Sequence, residues 1–218
     1  MSETKMSKNS EIIGGLSGTF FKEGRGEMKF REKIEREIVR YPKMIKEMGL
    51  NLIDLSNKKV LEIGGGPIGI IANLHCGEKT ILEPLTKDYK KYWTCPYHVV
   101  GVGEAIPFKN GEIDVVVITN ALDHCQTPEI VIYEIKRVLR AGGWLAVHNA
   151  IDLAAIHPHP AHTRNLDEFW FHNIIDTDFE TVHELTFRKN GLRYGWISYE
   201  RKIGQPAWAG LYRKVTGY

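Results

Sequence analysis

The chain has 218 residues, enough for one substantial core and too few for two ordinary domains with a linker between them. Its residues are 43% hydrophobic and 26% charged, proportions typical of a globular protein, and a net charge of +2 gives no reason to look for nucleic acid or another polyanion. Cys76, Cys95 and Cys125 are odd in number and form no C-x-x-C pair, so neither a disulfide framework nor a zinc site is suggested and a cytoplasmic location is expected.

The first ten residues, M-S-E-T-K-M-S-K-N-S, are polar and lack the apolar stretch of a secretion signal; a flexible lead is expected over residues 1–20. No later run approaches the ~18 apolar residues that cross a bilayer, so neither secretion nor a membrane partner is expected. Ile34, Ile38, Tyr41, Ile45 and Met48 recur at spacings of four and three, the apolar stripe of an amphipathic helix. Pro42 falls inside that stripe and predicts a kink or break near Tyr41. The charges around it, such as Glu32 with Arg36 and Lys33 with Glu37, read as pairs on a solvated face.

Residues 60–69 read V-L-E-I-G-G-G-P-I-G, an apolar strand running into a loop with Gly64, Gly65, Gly66 and Gly69. Glycine at this density signals a close approach to the backbone, and Pro67 suits the first turn of a following helix. Gly64, Gly66 and Gly69 satisfy the dinucleotide spacing G-x-G-x-x-G, a weak signal alone, and Pro67 withholds one N–H from a pyrophosphate. Glu62 puts a carboxylate at the strand end, which suits a cationic ligand; it equally suits a brace that accepts N–H bonds from the loop. Ile81, Leu82 and Glu83 read as a second strand ending in an acid about 20 residues after the loop, where a carboxylate chelates ribose hydroxyls.

Next come G-V-G-E-A-I-P-F (101–108), a strand from Asp114 to Thr119, N-A-L-D-H (120–124), a helix from Glu129, and R-V-L-R-A-G-G (137–143) leading into a strand from Trp144 to Val147. Strands and helices alternate from Lys59 to Asn149, the pattern of a parallel sheet covered on both faces, whose ligands sit beyond the carboxyl ends of the strands. Gly64, Glu83, Gly103 and Asn120 fall at such ends. H-P-H-P-A-H-T-R (157–164) is a loop by its prolines, and Asn165 with Glu168 has capping-box spacing for a helix through about Ile175. Two further strands are expected near Glu180–Phe187 and Trp208–Arg213.

The ordered set of motifs between Lys59 and Asn149 resembles the class I S-adenosylmethionine-dependent methyltransferases, in their small-molecule branch. The resemblance implies an α/β fold with a Rossmann-like, seven-stranded, mostly parallel sheet, helices on both faces and an antiparallel C-terminal hairpin. It implies a single domain over residues 21–218 with its cofactor region at 59–149. S-adenosyl-L-methionine is then the expected cofactor, held by Glu62, Gly64, Gly65, Gly66, Gly69, Glu83, Gly103, Glu104 and Asn120. Val102 stands where the family usually has an acid for the adenine amino group, leaving Glu104 or backbone groups to make that contact. E-P-L-T-K-D-Y-K-K (83–91) and N-A-L-D-H resemble a bacterial and archaeal subgroup for which sugar or cell-envelope substrates are expected.

Methyl transfer from a sulfonium is an in-line displacement in which alignment supplies up to ~7–11 kcal/mol and a general base about 10²–10⁴-fold in rate. His124 is the candidate base and Asp123 its orienting partner; the competing readings are loop packing for His124 and a helix N-cap for Asp123. Asn120 is expected to line the pocket near the methionine moiety. His157, His159 and His162 could ligate a metal, but no Cys or acid is adjacent and the prolines constrain the loop, so they are read as facing substrate. Trp170, Phe171, Tyr194, Trp196, Tyr199 and Trp208 are read as core, with one or two walling the acceptor pocket. The expected activity is methylation of a small-molecule hydroxyl. Its rivals are an NAD-dependent dehydrogenase, a non-catalytic S-adenosylmethionine binder, and an RNA or protein methyltransferase, which would carry an added recognition domain or an N-P-P-[YF] motif.

Overall fold

A computed structural model describes residues 26–89, 96–150, 166–187 and 207–215. The lead over residues 1–20, Cys95, the loop of His157, His159 and His162, the cap Asn165, and the aromatics Tyr194, Trp196 and Tyr199 lie outside the described residues.

Seven strands form one sheet: β1 (Lys59–Ile63), β2 (Glu78–Leu82), β3 (His98–Val99), β4 (Ile113–Thr119), β5 (Leu139–Ala150), β6 (Phe179–Phe187) and β7 (Ala207–Lys214). Their order is β3-β2-β1-β4-β5-β7-β6, with every pair parallel except β5–β7 and β6–β7. The expected mostly parallel sheet with an antiparallel C-terminal hairpin is therefore present. Val115 to Ile118 in central β4 are all at most 1% exposed, so the unbroken apolar run V-V-V-I marks a strand buried on both faces.

Each face is covered by helices. Val116, Ile118, Leu145 and Val147 pack against α3 (Pro128–Val138) and α4 (Glu168–Ile175) through Val131, Ile135, Phe171 and Ile175. On the other face Val115, Val117 and Ala146 meet Met44 and Met48, at and just beyond the end of α1 (Gly26–Glu47). A one-turn helix, α2 (Thr86–Tyr89), follows β2.

Several local expectations change. Pro42 lies inside α1 without ending it. Along the apolar stripe Ile38 is 36% exposed, whereas Met48 is buried, and the last turn of the helix packs on the sheet with Met44 and Glu47 also buried. The helix expected after the glycine loop is a single 3₁₀ turn, Ile70–Asn73. β2 starts at Glu78, which leaves too few residues for a longer helix and a return to the sheet. In α4, Asp167 Oδ1 accepts the Trp170 N–H at 2.8 Å and caps the first turn, while Glu168 is buried.

The R-V-L-R-A-G-G segment acquires a structural role. Arg137, in the last turn of α3, pairs with Glu134 at 2.7 Å and donates to the carbonyls of Phe108 (2.7 Å) and Ile106 (2.9 Å). Glu134 in turn accepts the Ile106 N–H at 2.9 Å, and its bond to the guanidinium holds its carboxyl below the usual range. One side-chain pair thus pins the segment after β3 to the helix. Buried Lys214 ties the same end of α3 to β7 by donating to the carbonyls of Lys136 and Leu139, at 2.6 and 2.8 Å.

Candidate cofactor site

The carboxyl ends of β1 to β5 are stitched together by a short series of hydrogen bonds. At the end of β1, Glu62 is 1% exposed and its two oxygens accept the N–H groups of Ile70 and Ile71, each at 3.1 Å. This is the brace of the sequence reading: the carboxylate accepts from N–H groups at the start of the 3₁₀ turn, which have no acceptor within the turn itself. Burial pushes the Glu62 carboxyl up to about 7, against the pull of the two amides.

Protein packing accounts for most of the loop glycines. A Cβ at Gly65 would lie 2.7 Å from Ile81 Cγ2, and one at Gly69 would lie 2.5 Å from Ile81 Cδ1 and 2.6 Å from Glu62 Oε2. At Gly64 it would meet Ala121 Cβ at 2.5 Å, and at Gly103 it would press on Val131 and Ile63. Gly66 differs, since a Cβ there would meet nothing within 4 Å. With φ at 64°, Gly66 takes a conformation that other residues rarely adopt, and the space where its side chain would stand is open.

Glu83, just past β2, is 5% exposed. Its Oε2 accepts the Gly66 N–H and its Oε1 the Leu85 N–H, both at 2.9 Å. Burial raises its pKa, and those two N–H bonds oppose the rise. A carboxylate has about four acceptor positions, so two remain for a ligand. From β3, His98 Nε2 lies 2.8 Å from the Gly66 carbonyl, a contact the sequence reading missed because His98 carries no motif.

The remaining predicted residues have defined places. Glu104 Oε1 accepts the N–H groups of Gln126 and Thr127 at 2.8 and 3.3 Å, immediately before Pro128 opens α3. Glu104 thus serves the helix start, while Asp123 lies upstream in a 3₁₀ turn (Leu122–His124) and is buried. His124, in the same turn, is exposed. Asn120 ends β4 with φ at 45°, the left-handed region that asparagine tolerates better than most residues. Its N–H donates to His148 O at 2.7 Å and its Oδ1 accepts the Ala150 N–H at 3.0 Å, joining the ends of β4 and β5. The Cys125 thiol donates to Ala121 O, and burial pushes its pKa far up, so it is no thiolate nucleophile. Phe171 and Trp208 are buried core, with ring centroids 4.4 Å apart. Among the described residues no His, Cys, Asp and Glu side chains group as metal ligands, and no helix is long and apolar enough to cross a membrane.

Comparison with known proteins agrees with this arrangement. Residues 75–147, about a third of the chain, match a family described as "Methyltransferase domain". The match begins past the glycine loop and its 3₁₀ turn. No curated protein matches the chain. Among solved structures, a chain from the complex of the Haloferax volcanii Trm112 methyltransferase activator with a methyltransferase superposes with a TM-score of 0.64 at 12% identity, covering 85% of this chain and 95% of that one. A SAM-dependent methyltransferase of Thermotoga maritima gives 0.60 at 16%, covering 86% and 97%. The N-methyltransferase NodS of Bradyrhizobium japonicum gives 0.58 at 16%, covering 84% and 97%. At these identities the structures speak for the fold, and the family match speaks for the chemistry. A glycine loop beside a buried acid thus lies at the carboxyl ends of a sheet whose fold is shared with S-adenosylmethionine-dependent methyltransferases, in a chain of which residues 75–147 match a methyltransferase domain.

Proposed function

We propose that the protein transfers the methyl group of S-adenosylmethionine to a hydroxyl oxygen of a small molecule, with nitrogen as the next acceptor. The observation that carries the reading is Gly66, with open space where a side chain would stand and the Glu83 carboxylate on its N–H, at the carboxyl end of a sheet whose ligands belong there. When bound, S-adenosylmethionine supplies an electrophilic methyl group. The chain's own residues bind and orient: Glu83 accepts the ribose hydroxyls with its two spare acceptor positions, and the glycine loop offers its backbone. Glu62 serves this site indirectly, by holding the loop.

On the acceptor side, His124 takes the hydroxyl proton. Its support is its place, exposed and four residues past strained Asn120, where β4 ends. Asp123 is buried beneath that turn and positions it. Glu104, whose Oε1 already serves Gln126 and Thr127, contributes to the adenine side through its remaining acceptor positions. The loop of His157, His159 and His162 is proposed to face the substrate. Sugar or cell-envelope hydroxyls are the first compounds to try.

Calorimetry with S-adenosylmethionine, S-adenosylhomocysteine and NAD tests the cofactor. Micromolar binding of the first two, about 8 kcal/mol at 1 μM, is expected, with none comparable for NAD. Glu83→Ala should weaken that binding by about 1.5–3 kcal/mol in a folded protein. Transfer of labelled methyl to a hydroxyl-bearing panel, lost in His124→Ala while cofactor affinity is kept, tests the acceptor and the base. Binding without transfer to any acceptor would favour the non-catalytic reading.

A further inference from the structure

Gly66 is held from both sides. Its N–H donates to Glu83 Oε2 at 2.9 Å, while its carbonyl lies 2.8 Å from His98 Nε2. A carbonyl can only accept, so the proton of this bond sits on His98 Nε2. His98 belongs to β3 and pairs with Ile81 of β2, two residues before Glu83, so neighbouring strands deliver the two anchors. Gly66 is also the loop glycine with open space where a side chain would be, and its φ of 64° is a turn that must be kept in place.

The two anchors are not equivalent. Ribose hydroxyls that donate to Glu83 crowd the same carboxylate that holds the Gly66 N–H. His98 holds a different group, the Gly66 carbonyl, which belongs to the next peptide along the chain. We propose that His98 is a positioning residue for S-adenosylmethionine: its Nε2–H holds the Gly66 carbonyl and keeps the loop in its binding shape while the cofactor engages Glu83. The proposal rests on reading this crevice as the cofactor site.

Calorimetry with S-adenosylhomocysteine on the wild type, His98→Leu and His98→Gln tests it. His98→Leu removes the donor and should raise Kd about three- to tenfold, the range of one neutral hydrogen bond. In His98→Gln the side-chain amide places an N–H donor near the position of imidazole Nε2, and Kd should return to within about twofold of wild type. Unfolding midpoints without ligand establish that each variant is folded. Equal affinity in folded His98→Leu, or a folded Gln variant as weak as Leu, overturns the proposal. A wild type that does not bind S-adenosylhomocysteine overturns the cofactor reading itself, and His98's role with it. Imidazole ¹⁵N shifts of the wild type give a check that needs no variant: a neutral ring protonated on Nδ1 in place of Nε2 is incompatible with donation to Gly66.

Discussion

Glu62 shows how a residue can be placed correctly by sequence and still change meaning in the fold. A carboxylate at the end of a strand before a glycine loop was legible; that both its oxygens would face backbone amides of a 3₁₀ turn was not. The same holds for the glycines, whose spacing suggests a ligand although Gly65 and Gly69 make room for Ile81 and Glu62. Spacing reports where side chains are forbidden, not what forbids them. The buried carboxyl has a thermodynamic signature. An unfolded glutamate titrates near 4.5 and folded Glu62 near 7, so between these values the folded state holds a proton that the unfolded state gives up. Its stabilising contribution is therefore complete below about pH 4.5 and is lost as pH rises to 7. Glu62→Gln stays neutral throughout. In urea unfolding at pH 5 and pH 8, the wild type should lose stability relative to Glu62→Gln on going to pH 8, by up to about 3 kcal/mol. Parallel pH dependences in the two proteins would show that Glu62 titrates normally.

Among the elements, strands were the most readable and helix boundaries the least. β4 declares itself as an uninterrupted V-V-V-I, because a strand buried on both faces leaves a dense apolar run, and β6 and β7 fall within about two residues of their expected limits. The helix after the glycine loop failed because its local signals, a proline in the first turn and apolar residues beyond, are shared by a 3₁₀ turn; the early return of the chain at Glu78 decides the matter. R-V-L-R-A-G-G was legible as a family signature, yet its chemistry emerged only in three dimensions, where Arg137 spans from α3 to Ile106 and Phe108. Removing that guanidinium takes its donors from the Phe108 and Ile106 carbonyls and from the Glu134 carboxylate, which keeps only the Ile106 N–H. Arg137→Ala should therefore cost about 2–3 kcal/mol, read by urea denaturation, with charge-assisted bonds at about 1.5–3 kcal/mol setting the scale. A cost below about 0.5 kcal/mol would mean that solvent replaces the pair at no loss.

For the molecule as a whole, topology followed from the alternation of strands and helices and from the family resemblance, whereas the attachment of α1 did not. Glu47 ends that helix against the sheet: its carboxylate lies 3.3 Å from buried His148 Nε2, and its carbonyl lies 3.1 Å from His183 Nε2. These partners are 101 and 136 residues away in sequence, beyond the reach of any periodicity. Met48, 0% exposed, fills the space beside them. Met48→Ala should destabilise the protein by about 2–5 kcal/mol through the cavity it leaves. At roughly 2–4 °C of Tm per kcal/mol for a chain of this size, thermal unfolding should shift downward by several degrees or more. An unchanged Tm would show that α1 is not part of the cooperative core.

The strand order has a consequence for synthesis. β6 pairs only with β7, and β7 sits between β5 and β6 although it is the last of the seven strands in sequence. While the nascent chain emerges, β1 to β5 can assemble and close their faces, but β5 keeps its outer edge bare and β6 lacks the strand it pairs with. The stretch from Ala207 to Lys214 then closes both edges at once. Until that moment the chain carries two strand edges open to other chains, so its exposure to misassembly is concentrated in the interval between the synthesis of β6 and that of β7.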